Sequence, residues 1–310
     1  MFSPEIISRG PFAHTYSIVA RDEDTGEMGA GVQSHWFSVG SVVPWARAGV
    51  GAVVTQSLTN PAFGPEGLEL LSQGISPKEV VEAMVSRDQG RDFRQLAVLN
   101  SQGDTFAYTG SKCVAEAGHV FGRNFSVQAN MMLRDTVWKA MASAFQSSQA
   151  PLAERILAAL EAAESEGGDA RGRQSAALLV VRGESTGQVW KDRLVDLRVD
   201  DHSEPLMELR RLLNVHRAYE SMDAGDAAME KGDMDSALRS YSQAQEMFPE
   251  NAEMVFWHAV GLANKGRFED SVPLFRRAFQ MNPNWRTMVT RLLPNGMLAL
   301  TGGQVERLLR

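Results

Sequence analysis

The chain has 310 residues, 44% hydrophobic and 22% charged, with a formal net charge of −7, so a wholly disordered or collagen-like chain is excluded. The acidic balance lacks the positive footprint that phosphate backbones require, and no nucleic-acid partner is expected. The single cysteine, Cys113, forms neither an internal disulfide nor a multi-thiolate metal site, and it reads as packing in a reducing compartment.

The first 14 residues lack a basic start followed by an apolar stretch. No run approaches the roughly 18 apolar residues of a membrane span. A cytoplasmic chain with no membrane partner is therefore the expectation. Residues 15–21, TYSIVAR, then read as a strand with Thr15, Ser17 and Val19 on one face. Turn chemistry at 22–27 leads into a second strand at 28–33. Further strands are predicted at 50–56, 95–99, 105–109, 125–130, 175–181 and 194–199, with a hairpin turn at 100–104.

Helices with defined ends separate these strands. Ser76-Pro77-Lys78-Glu79 is a capping box with proline at the first helical position, ahead of Val80, Val81 and Met84. Val137, Met141 and Phe145 share a face, joined by Trp138. Pro151 opens a helix with Leu152, Ile156, Leu160 and Ala163 on one stripe, stopped by Gly167-Gly168. Helices in pairs between hairpin strands predict an α+β fold of antiparallel sheets covered by helices, rather than a doubly wound parallel sheet.

Beyond residue 205 the strand signal stops and a repeat begins. Gly232 and Gly266, Tyr241 and Phe275, Ala244 and Ala278, and Pro249 and Pro283 are each 34 residues apart. That is the tetratricopeptide period. Ala237 fills the small position that Ser271 takes in the second unit. The reading is two repeats over about 218–285, flanked by helices at 205–219 and 285–293. Such a segment presents a concave surface for a peptide or protein; the plainer alternative is a cap or self-association element.

The six histidines, His14, His35, His119, His202, His216 and His258, form no metal-ligand spacing, and Walker, GxGxxG and GxSxG motifs are absent. A mechanism without metal or other cofactor is expected. A hydroxyl residue opening a strand offers another route. In N-terminal nucleophile (Ntn) chemistry that hydroxyl attacks an amide carbon while its own free α-amine takes the proton. The α-amine reference pKa of about 7.7–8.0 suits that role.

The run SIVARDEDTGEMGAGVQSHWFSVGSVVPWARAGVGAVVTQSLTNPAFGPEGLELL, with FSVQANMM, GGDARGRQSAALLVV and VDLRVDDH, closely resembles the bacterial domain-of-unknown-function family numbered 1028 over about residues 15–217. The resemblance implies an Ntn-hydrolase-like αββα sandwich over 15–204. It is preceded by an extension at 1–14 that would be a propeptide and followed by a helical domain at 205–310. By position it makes Thr15 the candidate nucleophile, with Ser34 and His35 at the end of the second strand facing the same cleft. Gln56 and Asn130 end strands, and their amides suit an oxyanion or a substrate carbonyl. In the GGDARGRQS loop, Arg171 or Arg173 would clamp a substrate carboxylate and Asp169 would bind an amine or hold the arginine.

Each residue has a plainer reading. Thr15 is also a good β-former, Gln56 and Asn130 also satisfy strand-end backbone groups, and Asp169 with Arg171 or Arg173 is equally a structural ion pair. Trp36, Phe37 and Trp45 line a pocket or belong to the core. Because 14 residues precede Thr15, the mechanism requires either a cut at His14-Thr15, most economically by the threonine itself, or a true start that lies elsewhere. The leading expectation is an amidohydrolase cleaving a small acyl-amide or peptide-like bond. Its rivals are a catalytically silent scaffold acting through the repeats, and an unprocessed enzyme using Ser34 or another internal hydroxyl. A homo-oligomer is an expectation from analogy with similar sandwiches.

Overall fold

The computed structural model describes residues 15–310 and the backbone pairing of Phe12–Ala13; the expectations for the remainder of the extension, His14 included, lie outside the described residues. Two antiparallel sheets dominate the first compact unit, which extends to Arg210. In chain order the strands are β1 (Phe12–Ala13), β2 (Thr15–Arg21), β3 (Met28–Ser34), β4 (Pro44–Arg47), β5 (Gly51–Leu58), β6 (Arg94–Asn100), β7 (Thr105–Thr109), β8 (Gly118–Gly122), β9 (Phe125–Ala129), β10 (Ser175–Val181) and β11 (Arg193–Val199). One sheet runs β1-β5-β6-β7 with β4 also on β5, and the other runs β11-β10-β3-β2-β9-β8.

The sheets face each other because their strands alternate. Val19, Met28, Ala30 and Val32 from one meet Ala52, Val54, Ala97 and Leu99 from the other in a single buried cluster. Each large aliphatic side chain so buried contributes about 1.5–3 kcal/mol. The outer face of the first sheet, through Val53, Leu96 and Val98, is covered by α1 (Phe63–Ser72) and α2 (Pro77–Arg87), the latter opened by the Ser76/Glu79 capping box. The outer face of the second is covered by α3 (Val137–Ser147) and α4 (Leu152–Ser165). There a Cβ on Gly31 would lie 2.4 Å from Ile156 Cγ2, so glycine is what lets α4 approach the sheet. The layers are thus helix, sheet, sheet, helix.

Three strands, β1, β4 and β8, carry too weak a pattern to read in advance. β4 begins with proline and is only partly buried, and β8 is bounded by glycines. β5 also runs two residues past Gln56, with Ser57 at φ 70°. A short helix, α5 (Val189–Asp192), precedes β11.

The second unit, Arg211–Arg310, is helical. The helix α6 (Pro205–Glu230) is continuous where the sequence predicts a flanking helix and then a repeat helix, because no glycine or proline interrupts 206–224. It starts in the first unit, where Arg210 pairs with Glu161 at 2.5 and 2.8 Å. It is followed by α7 (Met234–Met247), α8 (Ala252–Asn264), α9 (Phe268–Met281), α10 (Trp285–Leu292) and α11 (Gly302–Leu309). The repeat landmarks are structural. Gly232 and Gly266 take φ values of 74° and 78° between helices, and Ala237, Tyr241, Ala244, Ser271, Phe275 and Ala278 are all buried. The Tyr241 ring fits because Gly225 lacks a Cβ, which would lie 2.5 Å from it. No helix among the described residues is long and apolar enough to cross a membrane.

Candidate functional site

The space between the sheets changes character toward the start of β2. Thr15 and Ser17 occupy the face that Val19 continues, and their neighbours across the gap are Gln56 on β5 and Gln95 on β6. Thr15, Ser17, Ser34, Gln56, Gln95, Ser126, Gln128 and Asn130 are all fully buried. So many buried polar groups are tolerated only when they hydrogen-bond to one another.

The bonds form a directed chain. Ser126 Oγ donates to Gln128 Oε1 at 2.9 Å, and Gln128 Nε2 donates to Ser17 Oγ at 2.7 Å. Ser17 Oγ donates to Gln56 Oε1 at 2.5 Å, and Gln56 Nε2 to Gln95 Oε1 at 2.7 Å. Gln95 Nε2 donates to Thr109 Oγ1, which stands 2.8 Å from His119 Nδ1. Burial lowers the His119 pKa below its ordinary value, in keeping with a neutral ring.

The same network fixes the backbone of Thr15. Its carbonyl oxygen accepts from Asn130 N at 3.1 Å, Asn130 Nδ2 at 3.4 Å and Gln56 Nε2 at 3.2 Å. Asn130 Nδ2 also donates to Gln95 Oε1 at 2.8 Å, and Met131, the next residue, has φ 60°. The amides of Gln56 and Asn130, read from sequence as oxyanion donors, thus hold the candidate nucleophile itself. Gln56 also reaches Gln128 O, so it satisfies backbone groups as its plainer reading has it.

The remaining candidates divide into two groups. Ser34 pairs with Thr15 across β2 and β3. Next to it, His35 N donates to Asp169 Oδ2 at 3.1 Å. Arg171 binds the same buried carboxylate, Nε to Oδ1 at 3.1 Å and Nη2 to Oδ2 at 2.7 Å. Arg173 is turned elsewhere. Its guanidinium meets Glu164 of α4 and Glu204, and Glu164 also accepts from Tyr16 Oη on the outer face of β2. Burial first, and then the Glu164 carboxylate, push the Tyr16 phenol well above its ordinary pKa. Trp36 and Trp45 pack on the cores, whereas Phe37 is exposed. Burial raises the Cys113 thiol pKa and its Sγ donates to Arg94 O, as a packing role requires.

Sequence reasoning passed over Ser17, Gln95, Thr109, His119, Ser126 and Gln128. The available signal was glutamine within strands, at 56, 95 and 128, where an apolar residue would otherwise face the opposite sheet. A groove of about 880 Å³ lined by Arg21, Glu27, Gly49, Arg182 and Thr186 lies around the β2–β3 turn, at the other end of these strands from Thr15. Among the described residues no three His, Cys, Asp or Glu side chains are placed to hold a metal ion.

A two-sheet antiparallel sandwich with a hydroxyl and amide cluster at the head of a central strand, followed by a helical repeat segment, defines the class. The chain belongs to the family described as "Family of unknown function (DUF1028)", whose model matches residues 15–209, more than half of it. A tetratricopeptide-repeat model matches residues 222–284. The crystal structure of a Silicibacter pomeroyi protein of the same family is similar at 32% identity and a TM-score of 0.59, over 65% of this chain and 88% of that one. No curated protein matches this chain.

Proposed function

We propose that the first unit is an Ntn-type amidohydrolase cleaving a small acyl-amide or peptide-like bond through Thr15, with residues 1–14 as a propeptide. The observation that carries this reading is the fixation of the Thr15 backbone. One residue at the head of a central strand has its carbonyl gripped by three donors, while Ala13, two residues earlier, is registered in the opposite sheet. Such over-determination belongs to a residue whose position matters chemically.

Activation would begin with Thr15 Oγ adding to the carbonyl carbon of residue 14. The C–N bond breaks, the nitrogen takes the hydroxyl proton, and an ester joins residue 14 to Thr15. Water hydrolyses the ester, releasing a carboxylate and leaving Thr15 with its hydroxyl and a free α-amine. In turnover that amine takes the hydroxyl proton and passes it to the leaving amine, and water clears the acyl group. Asp169 and Arg171 flank this centre through His35 and Ser34, where a substrate's charged group is oriented.

Intact mass and N-terminal sequencing of the purified chain test the first step, with a new terminus at Thr15 expected. Thr15→Ala should leave the chain uncut and abolish turnover while leaving thermal unfolding within about 1 kcal/mol of the parent. A Thr15→Ala chain still cut at that bond removes Thr15 from the mechanism. The tetratricopeptide match favours a second activity, capture of a protein or peptide by the repeats.

A further inference from the structure

The outer edge of β5 is covered by two separate pieces of chain. β4 pairs along it from Gly51 to Val54, and β1 then pairs with its end, Ala13 opposite Ser57 and Phe12 opposite Leu58. We infer that the Ser57–Leu58 edge is the acyl-side subsite of the Thr15 centre, shaped for two residues of an extended peptide. This inference rests on the Thr15 reading above and narrows its substrate class to peptides.

The register makes the first argument. A strand lying where β1 lies delivers the carbonyl of its next residue toward the head of β2, because Ala13 is held in one sheet and Thr15 in the other. The propeptide thus occupies the path that a substrate must take once it has left. The second argument is that this edge is held rather than frayed. Arg94, 1% exposed, donates to Leu58 O and binds Asp88 with Nε 2.6 Å from Oδ2. Ser57 is kept at φ 70°, a conformation that a serine adopts only where its surroundings impose it. Strain of this kind gathers where a ligand is gripped.

The third argument is chemical. A strand edge offers main-chain N–H and C=O groups, which a peptide satisfies by adding a strand and a simple acyl amide cannot. The substrate class is therefore a peptide with at least three residues on the acyl side of the scissile bond. The bond to its leaving amine breaks, its acyl group passes to Thr15 Oγ, and water restores the hydroxyl.

The test uses the full chain after self-cleavage, freed of the released segment by gel filtration. Acetyl-Phe-Ala-His anilide is compared with acetyl-His anilide, and the pentapeptide Gly-Pro-Phe-Ala-His is added while exchange of the Ser57 and Leu58 amides is followed. The expected result is a kcat/KM at least tenfold higher for the longer anilide, with one of the two amides, the one that faces the added strand, protected by the pentapeptide. Antiparallel pairing alternates its hydrogen bonds, so N-methylation at one of the Phe and Ala positions should abolish protection and at the other leave it. Equal turnover of the two anilides, or no protection by the peptide, overturns the subsite while leaving the Thr15 reading intact. A wild-type chain that stays uncut overturns the Thr15 reading, and the subsite with it, since the edge is then permanently filled by β1.

Discussion

The two halves of the space between the sheets are built from the same strands and stabilised by opposite means. One half holds Val19, Met28, Val32, Val54 and Leu99, and the other holds Ser17, Gln56, Gln95, Ser126, Gln128 and Asn130. Apolar packing is non-directional and tolerates substitutions that conserve volume. A buried amide chain is directional, since turning one amide leaves two neighbours facing like groups. The difference teaches that the polar half sets positions, whereas the apolar half supplies burial. Only the polar half fixes the carbonyl of Thr15.

That comparison can be broken or sharpened by substitution. The largest stability loss is expected at the anchor of the polar end. Arg94→Leu leaves the buried Asp88 without its cation and frees Leu58 O, for about 4 kcal/mol in denaturant unfolding. In the apolar half, Leu99→Ala should cost about 3 kcal/mol through its cavity and leave the rate of cutting at Thr15 unchanged. Gln95→Leu removes the acceptor shared by Gln56 and Asn130. It should cost about 2 kcal/mol, less than Leu99→Ala, yet slow cutting about tenfold in a time course of N-terminal sequencing. If Leu99→Ala slows cutting as much as Gln95→Leu does, positioning does not reside in the polar half.

The smallest effect is expected at the end of the chain of hydrogen bonds. Burial lowers the His119 pKa in the folded state, so between that value and the unfolded value of about 6.5 the unfolded chain binds more protons. Stability from this group is complete above pH 6.5 and falls as pH drops toward the folded value. Melting temperatures compared at pH 7 and pH 5 should therefore fall further for the parent than for His119→Gln. An equal fall in both would show that burial does not hold His119 neutral.

Much of the fold was legible because local chemistry dictated it. The Ser76 capping box, the Leu152–Ala163 stripe and the 34-residue spacing of Gly232 and Gly266 all act within a turn or a repeat, and each holds. The role of the amides is less legible. Gln56 and Asn130 stand out by their places at strand ends, but the atom they hold, Thr15 O, is decided by which strand lies opposite. Arg171 and Arg173 stand two residues apart and looked interchangeable, yet one binds Asp169 and the other meets Glu164 and Glu204. Side chains two apart on a loop have no period to sort them.

By itself the sequence determined the antiparallel sheets, the paired helices, the repeats and Thr15 at the head of a strand. These follow from alternation, capping and spacing, which are properties of neighbours in the chain. Only the tertiary structure decided that glutamines from three strands, β5, β6 and β9, meet around the start of β2, and that β1 fills the edge of β5. Those contacts join residues dozens of positions apart, and register and sheet packing, not local preference, bring them within hydrogen-bonding distance.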